Sequence, residues 1–157
     1  GLGDVYKRQI DDINDLIYSK INNGVYQAGF SSNQAAYEEA FDALFDAFEI
    51  LEERLSRQRY LCGGKITEAD WRLFPTLFRF DAVYHYAFKC NKKHLYQYPN
   101  LWGFTRDLYQ QPGIAEICYL EDAKLGYWSG PKINPLGTIP KGPDINFDEQ
   151  HHRDRFN

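Results

Sequence analysis

Tyrosine and cysteine are the side chains of this 157-residue chain whose types are best suited to chemistry. The sequence has twelve Tyr but only three Cys, at Cys62, Cys90 and Cys118. No two cysteines form a Cys-x-x-Cys pair, and none lies in the strand-to-helix turn that lowers a thiol pKa. We interpret all three as structural or inert free thiols and predict no catalytic residue in this chain. Unpaired thiols in odd number also favour a reducing compartment, which predicts a cytoplasmic location.

Metal and phosphate sites have no support in the sequence. The four histidines, His85, His94, His151 and His152, give neither a His-x-x-x-His pair nor a Cys/His ligand spacing. The segment Gly63-Gly64-Lys65 lacks the rest of a phosphate-binding loop. We therefore expect no metal ion.

The composition indicates which classes of partner this chain can bind. Hydrophobic residues make up 43% of the chain and charged residues 25%, which is typical of a globular protein. The net charge of -4 argues against a nucleic-acid partner. No apolar run approaches the ~20 residues that span a bilayer, so we expect no membrane partner. Aromatic residues reach 17%, and their rings can build a core or line a site for flat ligands.

The elements that must position these side chains are predicted to be helices, because no alternating strand pattern occurs. Apolar residues recur at three- and four-residue spacing from Ile10 to Ile21, which predicts a helix over 11–22. Asn23-Gly24 is expected to end it, since both residues tolerate the left-handed conformation. Tyr26 would then lie on a linker, 25–31.

Four further helices and an extended arm complete the predicted fold. The helices are one capped by Ser32 and running to about Gln58, one opening at Thr67, one opening at Pro99 and broken by Pro112-Gly113, and one over 114–124. Pro and Gly after Ser129 predict an arm laid over the helices. The first nine residues, 1–9, show no apolar stripe. We interpret them as a possible cloning or assembly scar and take 10–157 as the folded domain.

The start of the third helix carries a clear local signal. Thr67 and Asp70 have the spacing of a capping box, with Asp in the usual Glu position. Ile66 and Trp71 flank the box at the spacing of a hydrophobic staple. We expect the pair to be structural and worth about 1 kcal/mol.

Several segments together resemble one protein family. Tyr60 to Lys65, followed by the capping box, resembles the folding motif in the helical domain of glutathione transferases. Segments that resemble the xi class, the glutathionyl-hydroquinone reductases, occur in order along the chain, at 22–30, 67–74, 79–81, 88–91, 98–103, 106–109, 112–116, 133–135 and 153–156. The resemblance covers nearly everything from Ile10 to the end. It implies an all-α bundle of the glutathione transferase C-terminal type with an extended C-terminal arm.

The resemblance also implies an activity and its partners. Members of the family reduce glutathionyl-hydroquinones to hydroquinones, with glutathione as co-substrate. Glutathione is bound mainly by an N-terminal thioredoxin-like domain, which supplies a nucleophilic cysteine from a Cys-Pro-Trp segment. That segment is absent here, so this chain alone is expected to be inactive and to represent the substrate-binding half. Quinone or hydroquinone conjugates, the missing domain and a second copy in a homodimer are the implied partners.

Three tyrosines are candidates for binding the aromatic substrate. Tyr26, within the segment 24–30, matches a tyrosine that lines the family's quinone pocket. Tyr127, before the Ile133-Asn134-Pro135 turn, matches a second one, and Tyr84 is a further candidate. A phenol can donate a hydrogen bond to a hydroquinone oxygen and stack on its ring. The alternative interpretation of each of the three is an ordinary core tyrosine without a role in binding.

Two alternatives stay open. The chain could belong to another transferase class with a cysteine nucleophile, such as omega. It could also be a non-enzymatic, transferase-like domain used for protein contacts. The segment 133–135 and the long tail favour the xi class over omega, and the segment around Tyr26 favours an enzyme over an interaction domain.

Overall fold

A computed structural model describes all residues, 1–157, as an all-helical bundle without strands, 64% of it helical. The α-helices are α1 (Leu2–Leu16), α2 (Asn23–Phe30), α3 (Gln34–Leu55), α4 (Glu68–Arg79), α5 (His85–Ala87), α6 (Pro99–Tyr109) and α7 (Leu120–Trp128). Two wider π-helical turns, Ile17–Asn22 and Phe80–Tyr84, connect α1 to α2 and α4 to α5. Short 3-10 turns lie at Leu95–Gln97, Ala115–Ile117 and Arg153–Phe156.

Helix α3 is the centre of the core, because α2, α6 and the first π turn all pack against it. Its apolar stripe includes Leu44, Phe45, Phe48, Leu51 and Leu55, all at most 1% exposed. Burying each such side chain contributes roughly 1.5–3 kcal/mol before conformational entropy is subtracted. The stripe predicted from the sequence is therefore the face on which the other helices assemble.

The predicted helix stop at Asn23-Gly24 is wrong. The backbone of Asn23 is right-handed, with φ -80° and ψ -31°, and the helix continues through Tyr26 to Phe30. The amide of Asn22 donates to the carbonyl of Arg72, and its oxygen accepts from Thr76. These contacts with α4 hold the π turn in helical conformation, so tertiary structure overrides the local signal.

The first helix begins earlier than the predicted residue 11, at Leu2, so most of the first nine residues lie in α1. The side chains of residues 1–9 are all exposed to solvent. Lys7, Arg8 and Gln9 are good helix formers, so this exposed first part of α1 needs no apolar stripe.

Two other boundaries were misplaced. Asn33, and not Ser32, caps α3, because its side chain accepts the N–H of Ala36 at 2.9 Å; the helix then ends at Leu55. The last helix runs over Leu120–Trp128 instead of 114–124, because Cys118 adopts an extended backbone that separates it from the turn at Ala115–Ile117.

The start of α4 is organised around the carboxylate of Asp70, which is fully buried. Its Oδ2 accepts the N–H of Thr67 at 2.7 Å, and its Oδ1 accepts the N–H of Leu61 at 2.9 Å. Thr67 is the N-cap residue, and its hydroxyl lies 3.5 Å from the same carboxylate. The bonds that the Asp70 carboxylate accepts from backbone N–H groups are therefore shorter than its contact with the Thr67 hydroxyl.

The extended C-terminal arm predicted from the sequence is confirmed, and it is tied to the bundle at two points. Phe147 is buried against the rings of Phe78, Trp102 and Tyr109, with centroids 4.8 to 5.5 Å away. Further on, the fully buried Arg153 donates to the backbone carbonyls of Leu55, the last residue of α3, and of Gln58 just after it. The arm thus closes over one face of the helices.

No helix in the structure combines the length and the hydropathy required to cross a bilayer. All three cysteines are free, and Cys62 and Cys90 are buried.

Candidate functional site: a cluster of tyrosine hydroxyls

The hydroxyl groups of three tyrosines, far apart in the sequence, meet at one point. The oxygens of Tyr84 and Tyr127 lie 2.9 Å apart, and those of Tyr26 and Tyr84 lie 3.5 Å apart. A hydrogen bond also joins the hydroxyls of Tyr26 and Tyr127. We refer to Tyr26, Tyr84 and Tyr127 as the tyrosine cluster. The structure therefore places all three candidate residues in one group.

Each member of the cluster comes from a different element. Tyr26 lies on α2, Tyr84 ends the second π turn, and Tyr127 lies on α7. The indole N–H of Trp128 donates to the carbonyl of Ala82 at 3.2 Å, which fastens α7 to the π turn. The bundle thus sets the spacing of the three phenols.

Exposure divides the cluster into an outer and an inner part. Tyr26 is 37% exposed, whereas Tyr84 is 1% exposed and Tyr127 is half-buried. A ligand can therefore reach Tyr26 directly, but Tyr84 only through its neighbours.

Two phenylalanines form the wall next to the cluster. The ring of Phe88 is fully buried, with its centroid 5.3 to 5.9 Å from those of all three tyrosines. Phe30 is 58% exposed and lies parallel to Tyr26, one turn along α2. Phe30 and Tyr26 together present exposed aromatic surface beside a hydroxyl, which suits a flat ligand that also carries oxygen.

The environment keeps the inner phenols neutral. Burial, followed by hydrogen bonds with Tyr127 and Tyr26, raises the pKa of Tyr84. Burial is also the main cause that raises the pKa of Tyr127. Neutral phenols retain their protons as hydrogen-bond donors near pH 7, so Tyr84 and Tyr127 can donate hydrogen bonds and do not act as resident bases.

Arg79, the last residue of α4, adds a positive charge near these hydroxyls. Burial acts to lower the pKa of Arg79, but its interaction with the Tyr84 hydroxyl and the fields of Tyr127 and Tyr26 raise it overall. A guanidinium near these hydroxyls favours negative charge that develops on a neighbouring oxygen.

The proton count of the cluster limits its possible arrangements. Three hydroxyls carry three protons, and a directed chain from Tyr84 to Tyr127 to Tyr26 uses two of them internally. The third proton, on the exposed Tyr26, is then free to point outwards. Because hydrogen bonds in a chain polarise one another, this arrangement strengthens Tyr26 as a donor.

A cavity of about 520 Å³ adjoins the cluster through Arg79. It is mainly apolar and is lined among others by Trp71, Phe74 and Cys118. None of the three tyrosines lines it. A second depression of about 480 Å³ is lined in part by Tyr26 and Phe30, and its lining is more polar.

The cysteines are poor nucleophiles in this structure. Burial raises the pKa of Cys90 to about 12, and burial is likewise the main cause that raises those of Cys62 and Cys118. A thiol with a raised pKa is protonated at pH 7 and reacts slowly.

Two residues of the site were missed by sequence reasoning. Phe88 and Arg79 both lie in segments that carried the family resemblance, 88–91 and 79–81, but no role followed from their types. An isolated Phe or Arg gives no signal for a site until the fold places it against other functional groups.

Comparison with known proteins identifies the domain. Residues 34–107 match the family of glutathione S-transferase C-terminal domains. The chain is 47% identical over 157 residues to a curated glutathionyl-hydroquinone reductase of Escherichia coli, YqjG, covering 97% of this chain and 48% of that protein. The solved structure of YqjG with bound glutathione superimposes with a TM-score of 0.93 at 46% identity, covering 96% of this chain and 49% of the other.

The chain is a glutathione transferase C-terminal-type helical domain. It resembles the xi class in particular. A xi-class transferase of Natrialba magadii matches with a TM-score of 0.93 at 44% identity, over 96% of this chain and 48% of its own. The curated glutathionyl-hydroquinone reductase PcpF of Sphingobium chlorophenolicum is 48% identical over 139 residues, which are 88% of this chain and 44% of that protein. The chain thus spans about half the length of the curated relatives that it matches.

Proposed function

We propose that this domain is the substrate-binding, helical half of a glutathionyl-hydroquinone reductase. The observation that carries the proposal is the meeting of three tyrosine hydroxyls beside exposed aromatic surface. Identity of 47–48% with two reductases of that name supports it. In this proposal, a thioredoxin-like domain outside the present sequence binds glutathione and supplies the nucleophilic cysteine.

The chemistry of the reaction gives the tyrosine cluster a task. A thiolate attacks the sulfur of the glutathionyl thioether, and a mixed disulfide with glutathione forms. The carbon–sulfur bond breaks with its electrons remaining on the hydroquinone ring, which then takes up a proton at that carbon. A second glutathione releases the first from the enzyme as glutathione disulfide. Negative charge therefore develops on the ring and its oxygens during the first step.

We assign Tyr26 and Tyr127 to substrate contact and Tyr84 to their positioning. Tyr26 is the exposed donor, and Tyr127 joins it to the buried Tyr84. Hydrogen bonds that strengthen as charge develops on the hydroquinone oxygen lower the barrier without tightening substrate binding equally. Arg79 would add a long-range favourable field at the same place.

The remaining parts of the proposal concern the whole protein. Glutathione is its co-substrate and aromatic quinone or hydroquinone conjugates are its substrates. The proposal also includes a homodimeric assembly and a cytoplasmic location for the whole protein. Taken alone, the 157-residue chain is expected to be inactive, because the pKa values of its own thiols are raised.

A chimera tests this function. The chain is joined to the N-terminal half of the Escherichia coli reductase, and turnover of glutathionyl-menadione with glutathione is followed by product analysis. We expect turnover by the chimera and none by the chain alone. Native YqjG is the positive control, and circular dichroism together with glutathione binding shows that the chimera is folded. A folded, glutathione-binding chimera that does not release menadiol would refute the proposal.

A further inference from the structure

A second cluster of functional side chains, made of Asp81, His85 and His94, lies apart from the tyrosine hydroxyls. Asp81 and His85 are four residues apart at the junction of the second π turn with α5, and both are buried. His94 returns to them after the loop 88–93. One potential ligand atom from each residue lies within 4.8 Å of the others.

The carboxylate of Asp81 fixes the geometry of this return. Its Oδ1 accepts the N–H of Leu95 at 2.6 Å, and its Oδ2 accepts the N–H of Tyr96 at 3.3 Å. These bonds hold the 3-10 turn that begins directly after His94. The third member of the cluster is therefore held beside the other two by the backbone, and not by chance contact of flexible side chains.

Two ring nitrogens in the cluster have no hydrogen-bond partner. The Nδ1 atoms of His85 and His94 are both buried and unpaired. The Nδ1 of His94 lies 3.4 Å from Oδ1 of Asp81 but makes no hydrogen bond with it. His85 is only 8% exposed, so water offers little compensation. Burying a polar nitrogen without a partner destabilises the folded chain. Two such atoms in one cluster with a carboxylate therefore suggest a ligand site.

We propose that Asp81, His85 and His94 bind a divalent first-row metal ion, with zinc as the best match. Two imidazoles and one carboxylate are a donor set that Zn²⁺ accepts in proteins, with a fourth position left for water. The proposal differs from the expectation of no metal, which relied on short ligand spacing. Here eight residues separate the two histidines, and only the turn at Leu95–Gln97 brings them together.

Metal binding requires a defined local movement. Ligand atoms about 2.0–2.2 Å from a tetrahedral zinc ion lie roughly 3.4 Å from one another, so the cluster must contract. The two imidazole rings are stacked, with centroids 3.7 Å apart and planes 13° apart, so their nitrogen lone pairs lie in two nearly parallel planes and do not converge on one ion. His94 therefore turns about its Cβ–Cγ bond to aim its lone pair at the ion. Its side chain is 18% exposed, which gives the ion a route of entry.

The ion would act as a clip between two segments of the chain. It joins the π turn that ends in Tyr84 to the 3-10 turn that starts at Leu95. The loop 88–93 between them begins with Phe88, the ring that packs against the tyrosine cluster. Metal binding is thus expected to stabilise the wall of the candidate site without contributing an atom to it.

The test is titration of the metal-free chain with Zn²⁺ by calorimetry, and with Co²⁺ by visible absorption. We expect one Zn²⁺ per chain, a higher melting temperature with Zn²⁺, and the intense visible bands of tetrahedral Co²⁺. His94→Gln should weaken Zn²⁺ binding by at least about tenfold, since even outer-shell changes cost 10–100-fold. His94 is the informative position, because its partly exposed side chain makes misfolding less of a risk than at His85.

A matched control separates this cluster from the other histidines. His152→Asn removes an exposed histidine from the C-terminal pair, and Asn tolerates the left-handed backbone that His152 adopts at φ 62°. This variant should bind Zn²⁺ as the unaltered chain does. Absence of Zn²⁺ binding by the folded chain, or equal binding by His94→Gln, would overturn the proposal. Loss of binding in His152→Asn alone would do the same, because it would move the site to the C-terminus.

Discussion

Helix α2 contains a pair of glycines for which the structure predicts opposite effects of the same substitution. A Cβ built on Gly29 would lie 2.3 Å from Cγ of Phe88 and 2.7 Å from both Cδ atoms of that ring. A Cβ on Gly24 would meet only the carbonyl oxygen of Ser19, at 4.0 Å. Gly29 is therefore required by close packing, whereas Gly24 is not.

The magnitudes follow from two competing terms. Replacing a helical Gly by Ala gains roughly 0.5–1 kcal/mol by restricting the unfolded chain. At Gly29 the Phe88 ring must retreat by ~1 Å or more to reach an ordinary carbon–carbon distance of about 3.5 Å. That ring is fully buried among three tyrosines, and overpacking of this kind costs about 1–3 kcal/mol. We expect Gly29→Ala to lose about 1–2 kcal/mol net.

Urea denaturation followed by circular dichroism measures the difference. The free energy of unfolding should rise in Gly24→Ala and fall in Gly29→Ala, so that the two variants differ by about 2 kcal/mol. The near-ultraviolet spectrum of Gly29→Ala should also change, because Phe88 contacts the tyrosine cluster. Equal shifts of the two variants in the same direction would refute the packing argument.

Three further predictions concern stability. Arg153→Met should lower the free energy of unfolding by about 3–5 kcal/mol, because the carbonyl of Leu55 at the end of α3 and two carbonyls in the following turn lose a buried donor. Arg155→Met, at an exposed position, should cost less than about 1 kcal/mol, and equal losses in urea denaturation would contradict this. Asp70→Ala should lower the melting temperature more than Thr67→Ala, whose loss is expected to be about 1 kcal/mol, since Asp70 accepts two backbone N–H groups; the reverse order would be contrary evidence. The free energy of unfolding should also fall as the pH rises above about 10. Burial raises the pKa of Tyr60 to about 12 in the folded chain, so the unfolded chain binds fewer protons between these pH values. Urea denaturation at pH 8 and pH 11 measures the direction of the change.

The parts of the fold that follow from periodicity were accessible from the sequence. Helix α3 has an apolar stripe long enough to predict, and Pro99 marks the start of α6 correctly. The Asn23-Gly24 signal failed because Asn22 bonds to α4, and no local pattern reports such a contact. The predicted bounds of the last helix were wrong for a related reason, since the extended backbone at Cys118 depends on packing.

In the candidate site, too, the residues could be selected from the sequence but their contacts could not be predicted. Tyr26 and Tyr127 are 101 residues apart, and no spacing rule predicts that their hydroxyls meet. They were selected by their resemblance to a family, and only the bundle supplies the distances. No family resemblance supported a pairing of His85 with His94, and no known ligand spacing separates them, so their proximity could not be predicted.

Removal of one hydroxyl tests the role of the tyrosine cluster most directly. In the chimera with the glutathione-binding half, the rate of hydroquinone release from glutathionyl-menadione is measured for Tyr26→Phe and for Tyr18→Phe. Tyr18 is an exposed tyrosine of the first π turn and lies outside the cluster, so it is the matched control. We expect Tyr26→Phe to be roughly tenfold to a hundredfold slower, the equivalent of about 1–3 kcal/mol. Its affinity for glutathione should be unchanged, its melting temperature should change little, and Tyr18→Phe should match the unaltered chimera. Equal rates for the two folded variants would contradict a functional role of the Tyr26 hydroxyl.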